Sequence, residues 1–100
     1  MDIKLVSRQD EGELLMSGDL DTRTAKDADV LFAKIADRFK NVTLNMKNLE
    51  YVSSAGLRSI RNLYIKVNSN GGKLSLTNVN ENVMEVFEMT GLAGLLNIRE

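Results

Sequence analysis

The sequence predicts a single α/β domain: a mixed, mostly parallel sheet of about four to five strands with helices packed on it, in the order ββαβαβαβ. Three observations carry this. Short stretches in which apolar and polar residues alternate are interleaved with longer stretches whose apolar residues fall three and four apart. The first two apolar runs are joined by a turn and not by a helix, so they form a hairpin. The chain has 100 residues, enough for one core and too few for two.

Ile3 to Val6 is the first strand, Gln9-Asp10-Glu11-Gly12 the turn, and Leu14 to Met16 the second strand, ending at Ser17-Gly18. Ala25, Ala28, Phe32, Ile35 and Phe39, at intervals of 3, 4, 3 and 4, line one face of an amphipathic helix. Asp21 or Thr22 is its N-cap, since either side chain accepts a bond from an otherwise orphaned amide. Val42, Leu44 and Met46 alternate with Thr43 and Asn45 as a strand, and Lys47 to Val52 is expected to be a loop.

Ser53 or Ser54 then caps a second helix whose inner face is Leu57, Ile60, Leu63, Tyr64 and Val67. Asn70-Gly71-Gly72 stops it, because Asn and Gly tolerate a left-handed backbone. Leu74 and Leu76 alternate with Ser75 and Thr77 as a strand. Asn78 or Asn80 caps a short third helix carrying Val83, Val86 and Phe87; Gly91 ends it, and Leu95 to Ile98 form a last strand. No repeat, linker or low-complexity stretch interrupts the series, so residues 1–100 read as one domain.

Composition narrows the function. Apolar residues make up 43% and charged residues 27%, ordinary globular usage. Lys and Arg number 13 against 14 Asp and Glu, a net charge of -1, with no basic stripe, which argues against direct nucleic-acid binding. The chain has no His, Cys, Trp or Pro. Zinc sites, thiol chemistry and the Ser-His-Asp triad are excluded with them. No Walker-type phosphate loop and no acid/base pair beside an activated nucleophile stands out, so neither enzyme activity nor a cofactor or metal is expected. The longest charge-free stretch, Met89 to Ile98, has ten residues, too short to span a bilayer, and the N-terminus lacks the apolar core of a signal peptide. A cytoplasmic protein is expected, without membrane insertion.

The unusual segment is Tyr51-Val52-Ser53-Ser54-Ala55-Gly56-Leu57, which opens the second helix. Turns at the carboxyl ends of strands are where open α/β sheets meet ligands and partners. Small residues leave the backbone approachable, and a helix N-terminus favours an added anion. A serine here suits phosphoryl transfer. The plainer reading is that Ser53 and Ser54 cap the helix and Ala55 and Gly56 allow tight packing; on residue chemistry alone it is the commoner of the two.

Val42-Thr43-Leu44-Asn45-Met46, followed by Leu49-Glu50-Tyr51 and the segment through Leu57, resembles the signature of the STAS domain, shared by sulfate transporters and bacterial anti-sigma factor antagonists. Gly18-Asp19-Leu20-Asp21 with Ala25, Gly71-Gly72-Lys73-Leu74, and Asn78 through Leu92 with Leu95-Leu96 resemble further family pieces in the same order. The stand-alone antagonists are the nearest type.

The resemblance implies a partner-switching role: the unphosphorylated protein binds an anti-sigma factor that is also a serine kinase, phosphorylation of the turn releases it, and a PP2C-type phosphatase resets the cycle. The acceptor falls on Ser54, with Ser53 as second choice. The partner-facing set is Asp21, Thr22, Ser53, Ala55, Gly56, Leu57 and Arg58, with Leu57 expected to be partly exposed as an anchor. Two departures bear on this. Ser53 stands where the family usually has Asp, removing a charge beside the acceptor. Ala55 stands where a second serine is common, removing a rival acceptor.

Each of these residues also has an ordinary role. Asp21 and Thr22 serve as caps, and Arg58 as a solvated surface residue within one turn of Ser54. The alternative function is a constitutive STAS scaffold, a subunit of a signalling or transport complex in which Ser54 is never modified.

Overall fold

The structure is a computed structural model and describes residues 1–99. Its elements are β1 (Asp2–Arg8), β2 (Glu11–Leu20), α1 (Thr22–Arg38), β3 (Asn41–Val52), α2 (Ser54–Ser69), β4 (Lys73–Thr77), α3 (Glu81–Met89), a 3-10 turn (Leu92–Gly94) and β5 (Asn97–Arg99). One five-stranded sheet runs in the spatial order β1-β2-β3-β4-β5. β1 and β2 pair antiparallel as the hairpin; every later neighbour is parallel. The mixed, mostly parallel α/β architecture and its element order are those the sequence predicts.

Each helix steps the chain forward by one strand, and right-handed crossovers in one direction put α1, α2 and α3 on the same face of the sheet. That face holds the core. Leu14, Met16, Val42, Leu44, Met46, Leu74 and Leu76 from the strands meet Phe32, Ile35, Ile60, Leu63, Val67 and Phe87 from the helices, all buried. The opposite face is polar: Glu13, Thr43, Ser75 and Asn97 stand in one register row across four strands. Asn45 Nδ2 donates to Glu13 Oε2 at 3.2 Å and Asn97 Nδ2 to Ser75 Oγ at 2.9 Å, which satisfies much of that row without a covering layer.

The expected loop at Lys47 to Val52 is instead the second half of β3. The reason is a break in register. Between Leu15 and Ser17 of β2, β3 advances from Asn45 to Asn48, and between Gly18 and Asp19 it advances from Leu49 to Tyr51. Each shift places one extra β3 residue in the ladder, so the buried positions Met46, Leu49 and Val52 fall three apart and the period of two disappears. β2 likewise continues past Ser17-Gly18 to Leu20, with Gly18 at a φ of 89°. The last strand lies at Asn97–Arg99, not Leu95 to Ile98, because Leu92–Gly94 coil first and bury Leu96. Of the alternative caps, Asp21, Ser53 and Asn80 are the ones used.

Candidate functional site

The two parallel strands β2 and β3 end side by side, with Leu20 opposite Val52. The Ser53 amide donates to the Leu20 carbonyl at 2.9 Å, tying the two strand-to-helix junctions together through the backbone. Helices α1 and α2 therefore begin next to each other, at the same end of the sheet, with Asp21 and Ser53 as their caps. Their unpaired amides and aligned dipoles make this end favourable to negative charge.

Asp21 Oδ1 accepts from the amides of Arg23 at 2.9 Å and Thr24 at 3.1 Å, while Thr24 Oγ1 accepts from the Asp21 amide at 2.9 Å, a reciprocal capping box. The Thr24 amide above all, with Arg23 and the Thr24 hydroxyl, holds the Asp21 carboxyl below its ordinary value against a partial opposing effect of desolvation. A lowered folded-state value means that this cap contributes stability above the ordinary value of 3.8 and loses it as pH falls through the folded value. The acid limb of a pH–stability curve is thus expected to flatten in Asp21→Asn, whose amide still caps but does not titrate. An unchanged acid limb, followed by thermal unfolding between about pH 2 and 6, would remove Asp21 as its source.

Ser53 caps α2 by accepting from the Gly56 amide at 3.3 Å. Ser54 is the first residue of the helix proper and is exposed, as are Thr22 and Arg58; Asp21, Ser53 and Ala55 are half-buried. Gly56 and Leu57 are not at the surface. Gly56 lies under the β2 end, where an added Cβ would stand 2.5 Å from the Leu20 carbonyl oxygen and 3.1 Å from Val52 Cγ1. Leu57, expected to be partly exposed, is 8% exposed and belongs to the core with Leu20, Val52 and Ile60. It sits one turn into α2 on the side facing the sheet, so its Cβ points inward. Gly56→Ala is accordingly expected to cost about 1–3 kcal/mol, because the Leu20 carbonyl cannot yield without disturbing the Ser53 tie. A urea midpoint equal to wild type would show that the junction opens freely.

Two further residues shape the site: Ser59, not singled out from sequence, and Tyr51, which opens the singled-out segment but was given no role. Ser59, 2% exposed, donates to the carbonyls of Ala55 at 3.2 Å and Ala25 at 3.4 Å, fixing the start of α2 against α1. Its place among apolar neighbours on a helix's inner face is the only signal a sequence offers. Tyr51, 55% exposed and opposite Asp19 in the sheet, stands at the rim just before Ser53. The bulges that hid the end of β3 hid its orientation too.

The STAS domain family model matches residues 3–100. The chain belongs to the STAS domain family. This STAS domain is 25% identical over 98% of its length to the anti-sigma-B factor antagonist of Bacillus subtilis, covering 92% of that protein. In fold it is similar to a candidate anti-sigma factor antagonist of Thermotoga maritima, with a TM-score of 0.92 at 21% identity, covering 98% of this chain and 86% of that one. It is also similar to SpoIIAA, the Bacillus cell fate determinant and anti-sigma factor antagonist. For the unphosphorylated form the TM-score is 0.80 at 13% identity, covering 99% and 88% of the two chains. For the phosphorylated form it is 0.78 at 15%, covering 99% and 92%. Among the described residues of this STAS domain, no helix is long and apolar enough to cross a membrane, and no group of three carboxylates forms a metal cluster.

Proposed function

We propose that this STAS domain is an anti-sigma factor antagonist that works by partner switching. With Ser54 unmodified it binds an anti-sigma factor that is also a serine kinase; phosphorylation of Ser54 ends the complex, and a PP2C-type phosphatase restores it. The domain performs no catalysis of its own and acts in the cytoplasm, where sigma factors work.

One observation carries the reading. Of the two adjacent serines, Ser53 commits its hydroxyl oxygen to the cap, whereas Ser54 is exposed at the head of α2 and takes no part in it. A kinase can therefore reach Ser54 without unwinding the helix, and the new anion sits where the helix dipole favours it. The names of the relatives support the same role, and SpoIIAA is known in both phosphorylated and unphosphorylated forms. Asp21 and Thr22, held beside Ser53 by the Leu20 tie, extend the surface on the α1 side.

The test is incubation with ATP and a purified anti-sigma factor of the histidine-kinase-like ATPase type from the same organism, read by intact mass and phosphopeptide mapping. A single phosphate on Ser54 is expected. Phosphate on Ser53 would move the acceptor by one residue; no phosphate and no complex would favour the constitutive scaffold.

A further inference from the structure

We infer that the outward crest of α2 is a docking strip for an acidic protein surface, and that Arg61 and Ile65 carry the partner contact two to three turns beyond Ser54; this rests on the partner-switching reading above. Ser54, Arg58, Arg61 and Ile65 are separated by 4, 3 and 4 residues, so they form one line along the helix, and all four are exposed. The opposite side of the same helix, Gly56, Ile60, Leu63 and Val67, is buried, which aims the line straight away from the sheet. Ile65 is 47% exposed, a large apolar side chain between charged turns.

Charge names the partner. From Tyr51 to Asn80 the chain has no Asp or Glu and four basic residues, Arg58, Arg61, Lys66 and Lys73. Lys66 is taken by Asp37 of α1 at 3.2 Å, so the crest's own charge is the two guanidiniums. Arginine forks match carboxylates in paired geometry, and the aliphatic stems leave Ile65 room to seat in an apolar notch. The partner that fits presents carboxylates about one helical turn apart beside such a notch. A nucleic acid fits less well, because the chain has no basic surplus, with 13 Lys and Arg against 14 Asp and Glu, and α1, the helix packed beside α2, intersperses Asp27, Asp29 and Asp37 among its basic residues.

The strip also extends the switch. Phosphate adds about -1.5 to -2 at the head of a line that carries two positive charges, so the crest becomes nearly neutral. Attraction to an acidic partner is then lost along the whole line and not only at the hydroxyl.

Calorimetric titration of the unphosphorylated chain into the same ATPase tests this. At about 50 mM NaCl, Arg58→Ala and Arg61→Ala are each expected to weaken binding by about 3–10-fold and Arg61→Glu by more than about 10-fold, with the differences shrinking at about 500 mM. Ile65→Ser is expected to weaken it by about threefold at both salt concentrations. All four variants should melt with the wild type, because their side chains are exposed. If wild type binds and Arg61→Glu binds within about twofold of it at low salt, the strip is overturned while the partner-switching reading stands. If wild type itself does not bind, both fall. Tight binding of a single-stranded RNA that Arg61→Glu abolishes would replace the acidic protein with a nucleic acid.

Discussion

Ser54→Asp is expected to fold as wild type and to lose the anti-sigma kinase by at least about 100-fold. Within the domain the new carboxylate sits on the first turn of α2, where it gains about 0.3–1 kcal/mol from the helix N-terminus. At the interface the same charge must leave water and face a surface shaped for a hydroxyl. An uncompensated buried charge costs several kcal/mol, more than a transient complex has to spare. Ser54→Ala removes the acceptor and changes little else: it should bind within about threefold of wild type and resist release by ATP, since one exposed hydroxyl adds little to affinity. Thermal melts establish folding, calorimetry reads the affinities, and phosphopeptide mapping locates the phosphate. Tight binding by Ser54→Asp would hand the domain to the scaffold reading.

Leu57→Ala is expected to destabilise the domain by about 2–4 kcal/mol, the usual cost of truncating a buried leucine. In a chain of 100 residues that lowers the melting temperature by roughly 10–20 °C. Leu57 is 8% exposed and packs in the cluster that also contains Leu20 and Val52, so the cavity opens beneath both junctions. Below its own melting point the variant should still bind the kinase within about threefold of wild type. An affinity loss beyond about tenfold in a protein of unaltered stability would return Leu57 to the partner surface.

Most of the fold was legible because its elements keep their periods. The 3-4 spacing of Ala25 through Phe39 and the alternation of Val42 through Met46 each describe one buried face. Legibility fails at Lys47 to Val52, where two extra residues in the ladder shift the buried positions to a spacing of three. Hydrogen bonding to β2, which no local pattern reveals, keeps that segment extended. At the site, composition drew attention to the right turn but left the roles of Ser53 and Ser54 interchangeable. Both carry a hydroxyl; only the extended backbone at Ser53, with φ -87° and ψ 176°, makes that residue the cap. Leu57 was misjudged for a related reason. It leads the apolar stripe in sequence, but the end of β2 crosses over the first turn of α2 and covers it, as the close approach of Leu20 to Gly56 shows.

The bond from the Ser53 amide to the Leu20 carbonyl involves no side chain at either end. Any residue other than proline at position 53 can make it, so the posture of the turn survives a change of its lettering. On the partner-switching reading, side chains at positions 53 and 55 can then change which kinase recognises the turn while the backbone that presents Ser54 keeps its path. Recognition and architecture are then separable. For a cell that runs several such switches side by side, new insulated circuits can arise by rewriting a few surface residues on an unchanged frame.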